Sequence, residues 1–402
     1  MPQRVLIYSH DSFGLGHLRR CRAIAHALVE NHLEMSVLIL SGSPIIGSFD
    51  FRSRVDFVRI PGVIKLRNGD YTSHSLHIHV EDTLALRSSI IRHTAETFDP
   101  DLFIVDKEPL GLRGEVRDTL EMLKARGVPI VLGLRDVMDD PLLLAQEWKR
   151  KNVIPALRDL YDEVWVYGLP QVCNPLEEID LPQSVHHKTV YTGYLRREAD
   201  PKARATNHES PINGPYLLVT AGGGGDGEAL VDWVLRAYES GESTALPALV
   251  VLGPFMPSDA QGAFLGRVTR ISNVEAITFD PGIEALIQRA VGVVAMGGYN
   301  TFCEILSFDK PALIVPRSVP RREQLIRTQR ADELGLVKCL EGDDVREAKL
   351  MATALRHLPQ QRRPSEVVVP GLLDGLENVN KLTARIIDGR SRRPVALERQ
   401  NG

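Results

Sequence analysis

Cysteine is scarce. Cys21, Cys173, Cys303 and Cys339 are the 4 cysteines of a 402-residue chain, and no two form a Cys-x-x-Cys pair. That excludes a disulfide-stapled secreted scaffold and a structural zinc knot, and it implies a reducing cytoplasm. An excess of one charge sign is also missing: 48 Lys and Arg stand against 52 Asp and Glu, a net charge of -4. No general basic field is there to hold a nucleic acid, so none is expected as a partner. No apolar run approaches the ~20 residues of a membrane span. Met1-Pro2-Gln3-Arg4 leads straight into an apolar strand-like run, which leaves no room for a signal peptide. The expectation is a soluble cytoplasmic protein for which peripheral contact with a membrane surface stays open. No tandem repeat suggests a solenoid.

What is present reads as an α/β protein. A hydrophobic content of 43% with 25% charged residues over this length is enough for two cores. Strand-like runs at 5–9, 36–40, 57–60, 102–106, 130–134 and 164–167 alternate with helical patterns, and the rhythm restarts at 216–220, 249–252, 275–279, 293–295 and 312–315. Strands alternating with helices imply parallel sheets covered by helices. Residues 196–215 are polar, proline-bearing and aperiodic, as an exposed connection would be. The expected organisation is an N-terminal unit over 1–195, a linker over 196–215, a C-terminal unit over 216–388 with a helix at 372–387, and a frayed tail over 389–402.

Three glycine turns carry the chemistry. The first strand leads through Ser9-His10-Asp11 and Phe13-Gly14-Leu15-Gly16 to a helical pattern opening at His17. A glycine turn before a helix presents free N–H groups at its positive end, as an anion requires. The spacing is not the full dinucleotide fingerprint, so a structural turn and a ligand loop both fit. His17 at such a place is suited to be a base tuned by a nearby carboxylate, or is a capped surface histidine. The second turn, Gly222 to Gly225, lets a backbone approach a ligand closely or serves as a hinge. The third, Met296-Gly297-Gly298-Tyr299-Asn300-Thr301-Phe302-Cys303-Glu304, puts Gly298 and Asn300 at a helix mouth, where N–H groups can take a diphosphate. Glu304 lies one turn further on, where a carboxylate can accept two ribose hydroxyls. Glu323-Gln324, after the 312–315 strand, supplies acceptors and donors for sugar hydroxyls.

Together these features resemble the GT-B glycosyltransferases, most closely the group that includes the peptidoglycan GlcNAc transferase and more distantly the plant and antibiotic UDP-sugar transferases. The resemblance implies two Rossmann-like domains facing each other across a cleft, and its strongest part is residues 293–335. Gly298, Thr301 and Glu304 fall on a Gly-x-x-Thr/Ser-x-x-Glu element that binds the nucleotide sugar in those families, and Glu323-Gln324 falls on their Asp/Glu-Gln pair. Gly222, Gly223 and Gly224 match the loop opening the C-terminal domain. Gly16-His17 matches the N-terminal Gly-His, and Asp106 stands where the plant-type enzymes orient that histidine. Met296 departs from the histidine of the plant-type enzymes. The reading implied is His17 as base and Asp106 as its orienter, with His10 and Asp11 as rivals, and Gly16, Gly222–Gly224, Gly298–Thr301, Glu304, Glu323 and Gln324 around the nucleotide sugar.

That resemblance implies an inverting, metal-independent transfer from a UDP-type sugar to a hydroxyl of a small molecule, glycan or lipid-linked acceptor, with no cofactor. Gly16-His17-Leu18-Arg19-Arg20 is also similar to the Gly-His-x-x-Arg of the nucleotide-sugar hydrolase of pseudaminic acid synthesis. Hydrolysis or epimerisation, or non-catalytic nucleotide-sugar binding, are therefore the alternatives. His74-x-x-His77-x-His79 and Asp99-Pro100-Asp101 read as a solvated loop and a strand-entry turn rather than metal sites.

Overall fold

The computed structural model describes residues 2–11, 15–65, 71–199, 211–241, 246–341 and 346–391. Phe13 and Gly14 of the first glycine turn, residues 200–210 of the expected linker and residues 392–402 of the expected tail lie outside the described residues.

Two all-parallel sheets carry the chain. The first runs β3 (Val55–Arg59), β2 (Met35–Ser41), β1 (Gln3–Ser9), β6 (Leu102–Asp106), β7 (Ile130–Arg135), β8 (Glu163–Tyr167) and β9 (Thr189–Tyr191). A small antiparallel hairpin, β4 (Val63–Lys65) with β5 (Tyr71–Ser73), stands outside it. The second sheet runs β12 (Val274–Ile277), β11 (Ala248–Val251), β10 (Leu217–Thr220), β13 (Gly292–Ala295), β14 (Ala312–Ile314) and β15 (Lys338–Cys339). Runs such as Val5 to Tyr8 and Val293 to Ala295 are apolar at every position because helices cover both faces, so no side may be polar. The hairpin, β9 and β15 show no sequence signature because they are short and, unlike the equally short β14, are not fully buried apolar runs.

In each sheet the strand order reverses next to the first strand, between β1 and β6 and between β10 and β13. Chain connections leave such a point in opposite directions, opening a crevice at the strands' carboxyl ends where ligands bind. Gly16, the third glycine turn and Asp106 all sit at these two crevices.

The two sheets share one core. Val5, Ile7 and Ile104 of the first belong to the same buried cluster as Leu218, Val293 and Ile314 of the second, joined through Tyr194, Tyr216, Tyr299 and Phe302. Of the expected linker, residues 196–199 and 211–215 are described; Arg197 and Ala199 are buried, whereas Arg196, Glu198 and most of 211–215 are exposed. The C-terminal helix, expected at 372–387, runs Gly375–Ser391 and lies against the Gly16–Asn31 helix of the first sheet, with Asn378 Nδ2 donating to the Thr192 carbonyl at 2.8 Å. The second unit thus lends its last helix to the first.

Gly297, between β13 and the next helix, has φ +80°, and a Cβ there would stand 2.7 Å from Thr328 Oγ1 and 2.8 Å from Ile314 Cγ2. Both the left-handed backbone and the close approach demand glycine. Gly297→Ala is expected to lower stability by about 1–3 kcal/mol in urea unfolding. An unchanged midpoint would mean the turn relaxes freely.

Candidate functional site

His17 is the second residue of the Gly16–Asn31 helix and Asp106 the last residue of β6, so the crevice between β1 and β6 brings them together. His17 Nδ1 and Asp106 Oδ2 are 2.5 Å apart. The other carboxylate oxygen takes two bonds from Arg20, from Nε at 2.8 Å and Nη2 at 2.6 Å. Arg20 lies three residues after His17, which on a helix puts both side chains on one face. The carboxylate is buried, whereas the imidazole keeps 18% of its surface exposed.

Burial pushes His17 down to about 4 against the pull of Asp106, and the charges of Arg20 and Lys107 push the same way. Burial alone would raise Asp106, but Arg20 and then His17 hold it well below the usual carboxylate range. Arg20 Nη2 is 3.0 Å from His17 Nδ1, so a doubly protonated ring would set two cations side by side. The ring is therefore neutral at pH 7, with its Nδ1–H assigned to Asp106 and the Nε2 lone pair free to take a proton.

The rivals are placed otherwise. Asp11 is buried as a structural acceptor, taking the Leu18 N–H at 3.1 Å and the Ser41 hydroxyl at 2.5 Å. Its burial pushes it up to about 6. His10 is buried beside His17, with ring centroids 5.6 Å apart, and burial lowers it well below the ordinary histidine value.

Facing this pair is the start of the Tyr299–Ser307 helix, whose N-cap, Gly298, has no side-chain cap and has open space where a Cβ would be. Its first N–H groups have no acceptor within the helix, which makes the end an anion cradle. Asn300 Nδ2 donates to the Gly16 carbonyl at 3.0 Å, and its Oδ1 accepts from Arg197 Nη2 at 2.8 Å. Tyr299 is the first residue of this helix. Its ring stacks on Tyr194 with centroids 6.0 Å apart, and the Arg20 and Arg327 guanidinium carbons lie 5.6 and 5.7 Å from its centroid. Packing between the two sheets thus occupies its side chain, so only its backbone N–H is left for a ligand.

Glu304 is brought to the same helix but is buried, with Arg19 Nη2 2.6 Å from its carboxylate and 2.7 Å from that of Glu284. Burial pushes the Glu304 carboxyl up, Arg19 opposes, and the charge of Glu284 adds to the rise. Thr301 is nearly buried beside it. A cavity of about 560 Å³ opens next to this cluster, walled by Arg19, Arg22, Phe49, Pro281, Gly282 and Glu284.

The Gly222–Gly225 loop does not itself open a helix. The following helix starts at Glu228, and Gly222 (φ +64°) and Gly224 (φ +88°) form turns before it. Gly224 must be glycine, since a Cβ would stand 2.5 Å from the Leu252 carbonyl oxygen, while at Gly222 space is open and Gly223 faces Phe255. Arg317 joins this loop to the next candidate pair, binding Asp226 and, at 2.8 Å, Glu323. Glu323 and Gln324 begin the Glu323–Glu333 helix. Burial would raise Glu323, yet Arg135 and Arg317 hold it below its ordinary value, and its Oε2 is buried without a hydrogen-bond partner. Gln324 Oε1 accepts the Arg317 N–H at 3.2 Å.

Residues 217–367 match the glycosyltransferase family 28 C-terminal domain. An uncharacterized glycosyltransferase of Methanosarcina mazei is 25% identical over 323 residues, 75% of this chain and 77% of that protein. The UDP-N-acetylglucosamine--N-acetylmuramyl-(pentapeptide) pyrophosphoryl-undecaprenol N-acetylglucosamine transferase of Pseudothermotoga lettingae is 23% identical over 190 residues, 47% of this chain and 51% of that protein. Among solved structures, UGT2 of Phytolacca americana, complexed with UDP-2fluoro-glucose and pterostilbene, superposes with a TM-score of 0.60 at 15% identity, covering 95% of this chain and 94% of that one.

The chain has the fold of the GT-B glycosyltransferases, and its residues 217–367 are a family 28-like glycosyltransferase domain.

In this glycosyltransferase several site residues went unread in the sequence. Arg20 entered only as a motif letter, and Arg19, Arg197, Lys107 and Arg135 carried no role. Their signal was positional: Lys107 and Arg135 stand at the carboxyl ends of buried strands, where a charge is unusual unless it faces a ligand. His77 and His79 are exposed and His74 is half-buried, its Nδ1 meeting Ser75 Oγ at 2.6 Å. Asp99 caps a helix in a left-handed conformation while Asp101 accepts the Arg4 N–H at 2.9 Å. No helix among the described residues is long and apolar enough to cross a membrane.

Proposed function

We propose that this glycosyltransferase moves a sugar from a nucleoside diphosphate sugar, UDP-linked, to a hydroxyl acceptor by direct displacement with inversion and without a metal or cofactor. The observation that carries the reading is the 3.0 Å bond from Asn300 Nδ2 to the Gly16 carbonyl. It sets the turn bearing the neutral His17 against the helix start that can hold a diphosphate. His17 Nε2 takes the acceptor proton as its oxygen attacks the anomeric carbon. The N–H groups of Gly298 to Thr301, with Arg197 beside them, receive the charge that develops on the departing diphosphate. Gly222, Gly223 and Gly224 bring a second run of backbone to it. Glu304 takes the ribose hydroxyls once Arg19 turns aside, and Glu323 and Gln324 meet the sugar.

In this reading 1–195 holds the acceptor, 216–388 holds the nucleotide sugar, and the lipid-linked, glycan or small-molecule acceptor enters from the first sheet. The four cysteines are thiols, which fits a reducing cytoplasm. One observation favours hydrolysis as a second reading: Arg20 of Gly16-His17-x-x-Arg20 is bonded to Asp106, so the arginine of the hydrolase-like motif is part of the site.

Two measurements test the proposal. Release of UDP from a UDP-sugar should be nearly idle until acceptor is added; release at full rate into water alone selects hydrolysis. Glu304→Gln should weaken UDP binding in calorimetry by about 10–100-fold, the loss of one or two charge-assisted bonds. Pyrophosphate binding should stay unchanged. Equal UDP affinity in the variant removes Glu304 from the ribose site.

A further inference from the structure

Two cations in the cleft have no role in the reaction so far derived. Arg135 is the last residue of β7; its Nε is buried without a partner, and its guanidinium makes no hydrogen bond or ion pair with a described residue. Lys107 follows β6 directly, in a left-handed conformation at φ +67°, and its ammonium is 3.8 Å from its neighbour Glu108. The surrounding carboxylates bind other groups: Glu108 binds Lys151 at 3.0 Å, Asp136 binds Arg327 at 2.6 Å, Asp139 binds the Arg322 N–H at 3.0 Å, and Glu323 binds Arg317 at 2.8 Å through Oε1, its Oε2 making no hydrogen bond. Burying a cation without a partner, as Arg135 is, costs several kcal/mol by rough estimate unless an anion joins it, and Lys107 has only the distant, shared Glu108. Burial and neighbouring charge push Lys107 down to about 8, with Arg135 and Arg321 contributing, and push Arg135 down to about 10.

The pair spans the reaction centre. Lys107 acts on the charge of His17, and Arg135 on that of Glu323. Both stand at the carboxyl ends of neighbouring strands of the first sheet, β6 and β7, on the same side as Asp106.

We propose that Lys107 and Arg135 form a second anion site, which binds a phosphate or carboxylate group carried by the acceptor close to its attacked hydroxyl. The acceptor is then an acidic molecule, such as a sugar phosphate, a diphosphate-linked glycan or a hydroxy acid, held by its charge so that the hydroxyl points at His17. The inference rests on the reading that the nucleotide's own diphosphate lies on the second sheet.

The test is calorimetry with inorganic phosphate on the full chain saturated with UDP. Millimolar phosphate should bind the UDP complex, tenfold or more weakly in Arg135→Gln and Lys107→Gln, and with unchanged affinity in the surface control Arg158→Gln. UDP-glucose should leave phosphate binding intact. Competition between UDP and phosphate would give these cations to the nucleotide's diphosphate, and competition by UDP-glucuronate but not UDP-glucose would give them to the donor sugar; either overturns the proposal. So would absent phosphate binding or equal affinity in both variants. The apo melting temperature supplies a second readout: Arg135→Gln should leave it unchanged or raise it, because an unpaired buried charge is removed, whereas a structural arginine would lower it. UDP binding measured without phosphate reports separately on the donor reading, since its failure leaves the phosphate comparison legible.

Discussion

His17→Ala lowers turnover by ~10²–10⁴-fold, the usual cost of a lost general base, while UDP affinity stays within twofold because the second sheet holds the nucleotide. Asp106→Asn gives a smaller, parallel loss: it keeps the shape but offers the ring an amide in place of a charge that fixes the tautomer. Arg20 sharpens the comparison. It is buried on the same carboxylate at 2.6 and 2.8 Å, so Asp106→Asn also strands a guanidinium and lowers the melting temperature, whereas His17→Ala, at the exposed edge, does not. Full activity in His17→Ala would move the base to His10 or Asp11.

The same residue sets a pH dependence. With His17 pushed down from 6.5 to about 4, the ring stays unprotonated in the folded chain throughout the usual range. The acid limb of kcat/KM assigned to the base should therefore lie near pH 4, and loss of activity centred near pH 6.5 would show that the imidazole is not held as the structure has it. The unfolded chain takes up this proton near 6.5 and the folded chain only near 4. The contribution to stability is thus complete above pH 6.5 and is lost as pH falls toward 4. Asp11 has the opposite sign: raised to about 6 in the fold, its contribution is present at low pH and lost as pH rises through 6.

Much of the fold could be read from the sequence because parallel strands covered on both faces must be continuously apolar, and β1, β6, β10 and β13 are. The glycine turns were legible for a related reason, since each marks a strand leading toward a helix at a crevice. The pairing of His17 with Asp106 came from resemblance; what brings residues 89 positions apart to 2.5 Å is the adjacency of β1 and β6, which periodicity does not reveal. Tyr299 shows the limit most plainly. Its place in the motif predicts a ligand contact, which leaves open what its ring does, and the ring packs near Arg20 of the first unit and Arg327 of the second. Contacts between the two halves depend on their relative placement, and no local pattern encodes that. Glu304 is similar: the motif located it on the right helix, while the Arg19 that covers it comes from the other sheet.

That relative placement has its own anchor, and removing it should produce the largest loss of stability in the chain. Asp136, just past β7, receives Arg327 from the Glu323–Glu333 helix through Nε at 2.7 Å and Nη2 at 2.6 Å, and both side chains are fully buried. Tyr194 adds its hydroxyl to Asp136 at 2.8 Å, and the remaining Arg327 nitrogen donates to the Gly297 carbonyl at 2.9 Å, next to the diphosphate cradle. Arg327→Met leaves a buried carboxylate with a single phenol for company, which should cost about 3–5 kcal/mol. In urea unfolding the midpoint falls accordingly. Scattering in the absence of UDP should show a larger radius of gyration, because the tie between the sheets is gone. Asp136→Leu combined with Arg327→Met removes both charges, so the double variant should recover most of the lost stability, since breaking a buried pair is worse than replacing it. It should not recover full activity, because the Gly297 carbonyl has still lost its guanidinium and the turn that feeds Gly298 is freer to move. A single variant as stable as the parent would show that water reaches Asp136 and that the two sheets are held by their shared apolar core and by other ties such as Arg19 with Glu304 and Asn300 with the Gly16 carbonyl.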